Sequence, residues 1–189
     1  MEVVRRQFLA DATSAMMFDG VSPALAGTER QQNMADVKTY AAVAMQLAAR
    51  SVERAASKTA ARQQMMETIA SIEPKIRSAA IFVQQYAGSP VKLAVLPEYV
   101  LTSYPGRISI PDFADLAALE VDGPEYAAMG AMAQRLGLFI AGNAYEADRH
   151  FPGLYFQTSF IIAPSGDVVL SYAPVALAIK NADFKNWAE

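Results

Sequence analysis

From Ala61 to Tyr86 apolar residues recur at spacings of three and four: Met65, Ile69, Ile72, Ile76, Ala79 or Ala80, and Val83. That is the stripe of one helix lying on a core. Glu67, Glu73, Lys75 and Arg77 fall mainly elsewhere on the wheel. Pro74 is expected to kink or split this helix, because it lacks an N–H and its ring crowds the preceding turn. Gly88-Ser89-Pro90 ends it. Short apolar runs flank the helix. Tyr40 to Gln46 reads as a first buried strand despite its alanines, and Lys92 to Leu96 suits a strand buried on both faces of a parallel sheet. Leu47 to Lys58 fits either loop or helix. Strand, long helix, strand gives parallel strands joined by a crossover.

The pattern then changes. Asp112 to Asp122 is a polar-apolar connector with room for a helical turn. Gly123-Pro124-Glu125 starts a helix with proline in its first turn, with Ala127, Ala128, Ala131, Met132 and Leu136 as inward positions and Gly137 as its close. Leu138 to Asn143, Tyr155 to Ile162 and Val168 to Tyr172 read as three further strands. Pro164-Ser165-Gly166-Asp167 makes the last two an antiparallel hairpin. The sum is an α/β layered domain with a mixed sheet.

Of the 189 residues, 53% are hydrophobic and 19% charged, enough for a substantial single core. The net charge of −3, without a Lys/Arg-rich run, argues against nucleic acid as the main partner. No apolar stretch is long enough to span a bilayer. There is no cysteine, which excludes disulfides, thiolate metal sites and a cysteine nucleophile within the chain. His150 is the single histidine. It reads as a surface-loop residue, and no second ligand stands at zinc-like spacing. No metal and no cofactor are expected, since phosphate-loop and dinucleotide fingerprints are absent.

Residues 1–38 differ in character from the rest of the chain. Arg5-Arg6-Gln7-Phe8-Leu9 resembles a twin-arginine export motif, and Ala24-Leu25-Ala26 is a small-x-small cleavage signature before Gly27. Asp11 and Asp19 interrupt the apolar stretch between them, which a good export signal avoids. Two readings stand: an export signal, giving a periplasmic protein, or an amphipathic N-terminal helix on a cytoplasmic one.

Candidate chemistry centres on Lys92-Leu-Ala-Val-Leu-Pro-Glu98. Pro97 stops the strand, and Glu98 comes next as a carboxylate at the carboxyl end of a buried strand, where open α/β sheets bind ligands. Leu93-Ala-Val-Leu-Pro-Glu98-Tyr-Val-Leu-Thr-Ser-Tyr104-Pro, the helix around Gly123-Pro124, Arg135-Leu-Gly-Leu-Phe-Ile-Ala-Gly-Asn-Ala-Tyr-Glu146 and Leu154 to Tyr172 succeed one another in an order that resembles the nitrilase, or carbon–nitrogen hydrolase, superfamily. The resemblance covers roughly Tyr40 to Tyr172.

That resemblance implies a nitrilase-like αββα layered sandwich. It also implies amide or nitrile hydrolysis by a Glu-Lys-Cys triad, with Glu98 as general base and Tyr104 near the substrate. It further implies a small-molecule amide or nitrile as substrate and assembly as a homo-oligomer. The departures are specific. Ala173 and Pro174 come after Tyr172 where the family has its lysine, and Lys180 is displaced from that position. Gln157 stands where the family often has asparagine, and the cysteine is absent. The expectation is a domain over 39–175 with a divergent tail at 176–189. The sandwich would be incomplete at its C-terminus, and the chain truncated or degenerate and inactive alone. The alternative is a non-catalytic association or small-molecule binding module of the same descent.

Overall fold

The structure is a computed structural model, and it describes residues 39–172. The Arg5-Arg6 motif, Ala173, Pro174, Lys180 and the tail lie outside the described residues.

One five-stranded sheet has the order β1-β2-β3-β4-β5. Strands β1 (Ala41–Ala44), β2 (Val91–Val95) and β3 (Phe139–Ala147) run parallel. Strands β4 (Tyr155–Ile162) and β5 (Val168–Tyr172) continue antiparallel. This is the mixed sheet the pattern predicts. Helix α1 (Lys58–Ala87) joins β1 to β2, and α2 (Ile110–Ala117) and α3 (Pro124–Leu136) lie between β2 and β3.

Ser57 starts α1 by accepting the Ala60 N–H at 3.2 Å, and Gly88 ends it in the left-handed region. Of the predicted stripe, Met65, Ile69, Ile72 and Ile76 are no more than 4% exposed, while Ala79, Ala80 and Val83 are half-buried. Of the two outcomes expected at Pro74, a kink or a split, the split does not occur: the helix is continuous through it. Pro74 and Ala70, whose carbonyl loses its partner, are both exposed, so the freed group lies on the solvent side of the helix.

Three other expectations shift. Strands β1 and β2 are not buried on both faces: Ala42 and Ala44 on β1 and Lys92 and Val95 on β2 are exposed. A full helix, α2, overlaps the connector. Its start is readable in Ser109, which accepts the Asp112 N–H at 3.4 Å and donates to the Asp112 carboxylate at 2.5 Å, a cap of the Ser-x-x-acid kind. On α3 the buried stripe is Glu125, Tyr126, Met129, Gly130, Met132 and Ala133, not the alanine-based one, of which Met132 alone is fully buried. Alanine suits either face, so a run of alanines leaves the phase of a helix undetermined. Gly130 belongs to this stripe because a β-carbon there would stand 2.5 Å from the Gly166 carbonyl oxygen.

Strand register sorts the sheet into two faces. Ala94, Ile140 and Ile162 lie in one row across β2, β3 and β4 and are fully buried under the helical layer. The neighbouring rows point the other way. There Val95, Phe139, Leu170 and Tyr172 are 38–63% exposed, so this part of the second face is open and apolar.

Candidate functional site

Strand β2 ends where the sequence requires. The Leu96 N–H still donates to the Ala141 carbonyl at 2.8 Å, then Pro97 takes the chain out of the ladder. Glu98 opens a tight turn in which the Thr102 and Ser103 N–H groups both donate to the Tyr99 carbonyl, at 3.1 and 2.7 Å. Tyr99 and Ser103 have φ of +52° and +59°. These are the two non-glycine residues in the left-handed region among the described residues. Side chains rarely adopt it unless the surroundings hold them there.

The turn presents Glu98 to the open face of the sheet. Gln157 on β4 donates from Nε2 to Glu98 Oε1 at 2.5 Å and also reaches Asn143 Oδ1 at 3.4 Å. Asn143 in turn approaches Ser159 Oγ at 3.5 Å. Register explains the grouping: Gln157 pairs with Tyr145 and Ser159 with Asn143, so all four side chains leave the same face. Gln157 is only 8% exposed. A buried amide needs partners, and the Glu98 carboxylate is its shortest.

An aromatic wall backs the carboxylate. The Tyr99 ring stacks on Tyr145 at 4.4 Å, and Phe113 and Tyr155 meet Tyr145 edge-on at 5.3 and 5.1 Å. Burial pushes the Tyr145 and Tyr155 hydroxyls above their ordinary pKa. It does the same for Tyr99, with the neighbouring Glu98 charge adding to the shift. The Tyr99 and Tyr145 hydroxyls near Glu98 therefore remain proton donors at neutral pH.

The turn is tied down behind. The Val52 N–H donates to the Thr102 carbonyl at 3.1 Å, and Glu53 Oε1 accepts the Arg107 N–H at 3.1 Å. Gly106, at φ +68°, is where the loop closes on Glu53: a β-carbon there would collide with the Glu53 carboxyl group.

Tyr104, the other candidate, is 68% exposed and makes no hydrogen bond or ring contact among the described residues. His150 lies exposed in the β3–β4 loop. Its N–H donates to Asp148 Oδ1 at 2.7 Å and its Nε2 accepts from Arg149 at 3.3 Å. Among the described residues no group of three His, Asp or Glu is placed to hold a metal ion. A cavity of about 860 Å³ lies by the β3–β4 hairpin, lined by Glu146, Phe156 and Thr158 among others. Those strand residues alternate away from Tyr145 and Gln157, so the cavity is separate from Glu98. We place the candidate chemistry at Glu98, where carboxylate, amide and strained turn converge.

Fold and site together define an α/β layer protein with a held carboxylate at the carboxyl end of a central parallel strand. Residues 58–185 match the carbon-nitrogen hydrolase family, and the chain belongs to that family. The nitrilase-like fold is shared with a solved structure of N-terminal amidase with a Gln-Val peptide, at TM-score 0.53 and 18% identity over 77% of this chain and 29% of that one. A cysteine-to-serine variant of N-terminal amidase gives TM-score 0.51 and 17% identity over 70% and 27%. The chain thus spans less than a third of the length of these structures. No curated relative matches significantly.

Proposed function

We propose that this chain carries the general-base portion of a site for hydrolysis of amide or nitrile carbon–nitrogen bonds. The observation that supports it is Glu98, at the end of β2 in a chain of this family, with its carboxylate oriented by Gln157. In such a reaction the base accepts the proton of the attacking group as the bond to carbon forms. An amide donor on one oxygen fixes the plane of the carboxylate and leaves the other oxygen for that proton. The sequence holds no cysteine, so the chain by itself has no thiol-dependent turnover. The test is ammonia release from simple amides and nitriles by the purified full chain. The expected result is none above background. Robust release abolished by Glu98→Gln would show that a different nucleophile serves the site.

A second reading, an association module derived from the family, is favoured by one observation. Val95, Phe139, Leu170 and Tyr172 leave an apolar sheet face uncovered, and such faces mark interaction surfaces. Light scattering tests it: a monomer at all concentrations would count against association.

A further inference from the structure

On the sheet face opposite Glu98, the β3–β4 hairpin and the segment 119–123 border the open cleft of about 860 Å³. The segment is held against β3 by the Leu119 N–H, which donates to the Tyr145 carbonyl at 2.7 Å, and by the Ala147 N–H, which donates to the Leu119 carbonyl at 2.9 Å. Its turn closes where the Gly123 N–H meets the Glu120 carbonyl at 2.8 Å. The volume lies in the range of small-molecule sites, about 300–1,000 Å³.

Two features of the cavity are left over by the fold. Thr158 is 0% exposed, lines the cavity, and its Oγ1 has no hydrogen-bond partner. A buried hydroxyl without a partner is rare, and valine would fill the same space without that penalty. Beside it Glu146 is a carboxylate only 8% exposed, with one oxygen accepting from the Tyr126 hydroxyl. The rim adds Glu120, Asp122 and Asp148, so four carboxylates face one guanidinium, that of Arg149. Phe156 supplies an apolar wall and contacts Phe151 edge-on at 5.4 Å.

We propose that this cavity binds a small organic cation. A primary ammonium or guanidinium group donates to the Glu146 carboxylate and the Thr158 hydroxyl oxygen, while its aliphatic or aromatic body lies on Phe156 and Val121. The rim carboxylates draw the cation in, and the buried floor strengthens its contact with Glu146 because the local dielectric is low. The site lies on the other face of the sheet from Glu98 and is independent of the reaction proposed there.

The test is titration of the full chain with 2-phenylethylammonium, monitored by amide NMR and calorimetry, with phenylacetate as the probe of the same body and opposite charge. The amine is expected to bind saturably, more weakly as salt rises, and to shift the resonances of Glu146, Phe156 and Thr158, while phenylacetate leaves them in place. Thr158→Val is expected to weaken amine binding roughly tenfold with the melting temperature unchanged or higher, since the hydroxyl it removes has no partner in the free protein. Glu146→Gln is expected to weaken binding further. If that variant loses its fold with the Tyr126 contact, Thr158→Val alone decides. Absence of saturable binding, equal binding of phenylacetate, or undiminished binding by the folded Thr158→Val variant would overturn the proposal.

Discussion

Replacing Arg62 by methionine strikes the point where the three helices meet. Arg62 Nη1 lies 2.9 Å from Glu125 Oε2, and Nη2 donates to the Ala118 carbonyl at 2.7 Å. The contact with Glu125 is coulombic, because neither carboxylate oxygen has the alignment of a hydrogen bond. Glu125 is 0% exposed and the Arg62 side chain 17%. At 2.9 Å and an effective dielectric of about 20, the attraction is roughly 6 kcal/mol. Desolvation of two ions offsets most of that. Arg62→Met removes the attraction and leaves the carboxylate buried, so the expected loss is about 3–5 kcal/mol, a large share of an ordinary domain's stability. Joint replacement, Arg62→Met with Glu125→Leu, removes both desolvation penalties and is expected to recover most of the loss. Urea unfolding of the wild type and the three variants measures the cycle. A single-variant loss below about 1 kcal/mol, or a double variant as unstable as the sum of the singles, would refute the reasoning.

Two further outcomes concern the loops and helix faces. Arg135 forks onto Glu73 at 2.7–3.2 Å, with Arg77 adding a contact at 3.0 Å; hydrogen bonding from Arg135, the largest effect, holds the Glu73 carboxyl below its ordinary pKa. A depressed carboxyl stabilises above its unfolded pKa and loses that contribution as pH falls through the folded value, so Glu73→Gln is expected to flatten stability against pH below the usual carboxylate range, and an unchanged slope in acid-side melting would contradict it. Gly106→Ala is expected to destabilise by about 1–2 kcal/mol through its positive φ, and to loosen the Arg107–Glu53 bond, read as faster hydrogen exchange at the Arg107 amide.

The sequence makes some of this legible and hides the rest for physical reasons. The α1 stripe is unmistakable because Met65, Ile69, Ile72 and Ile76 are large and evenly spaced. The α3 face is not, because its alanines fit either side while Tyr126 is inward for a reason outside the helix, the Glu146 carboxylate. Helix α2 is short, but Ser109 and Asp112 announce it once read as a cap. Glu98 stands out because proline stops an apolar run just before it. Its partner does not, since Gln157 is 59 residues away and reaches Glu98 only through the β3–β4 register. Thr158 and Glu146 carry no local signal at all. Only strand alternation and the turn at 119–123 bring them to one floor.

The central claim is that Glu98 is an oriented carboxylate held by Gln157 at the end of β2. The Gln157 side-chain amide resonances, recorded by NMR in the wild type and in Glu98→Gln, test it most directly. They are expected to stand downfield of free glutamine in the wild type and to return toward the free position in Glu98→Gln. Wild-type resonances at the free position, or resonances unchanged in Glu98→Gln, would contradict it.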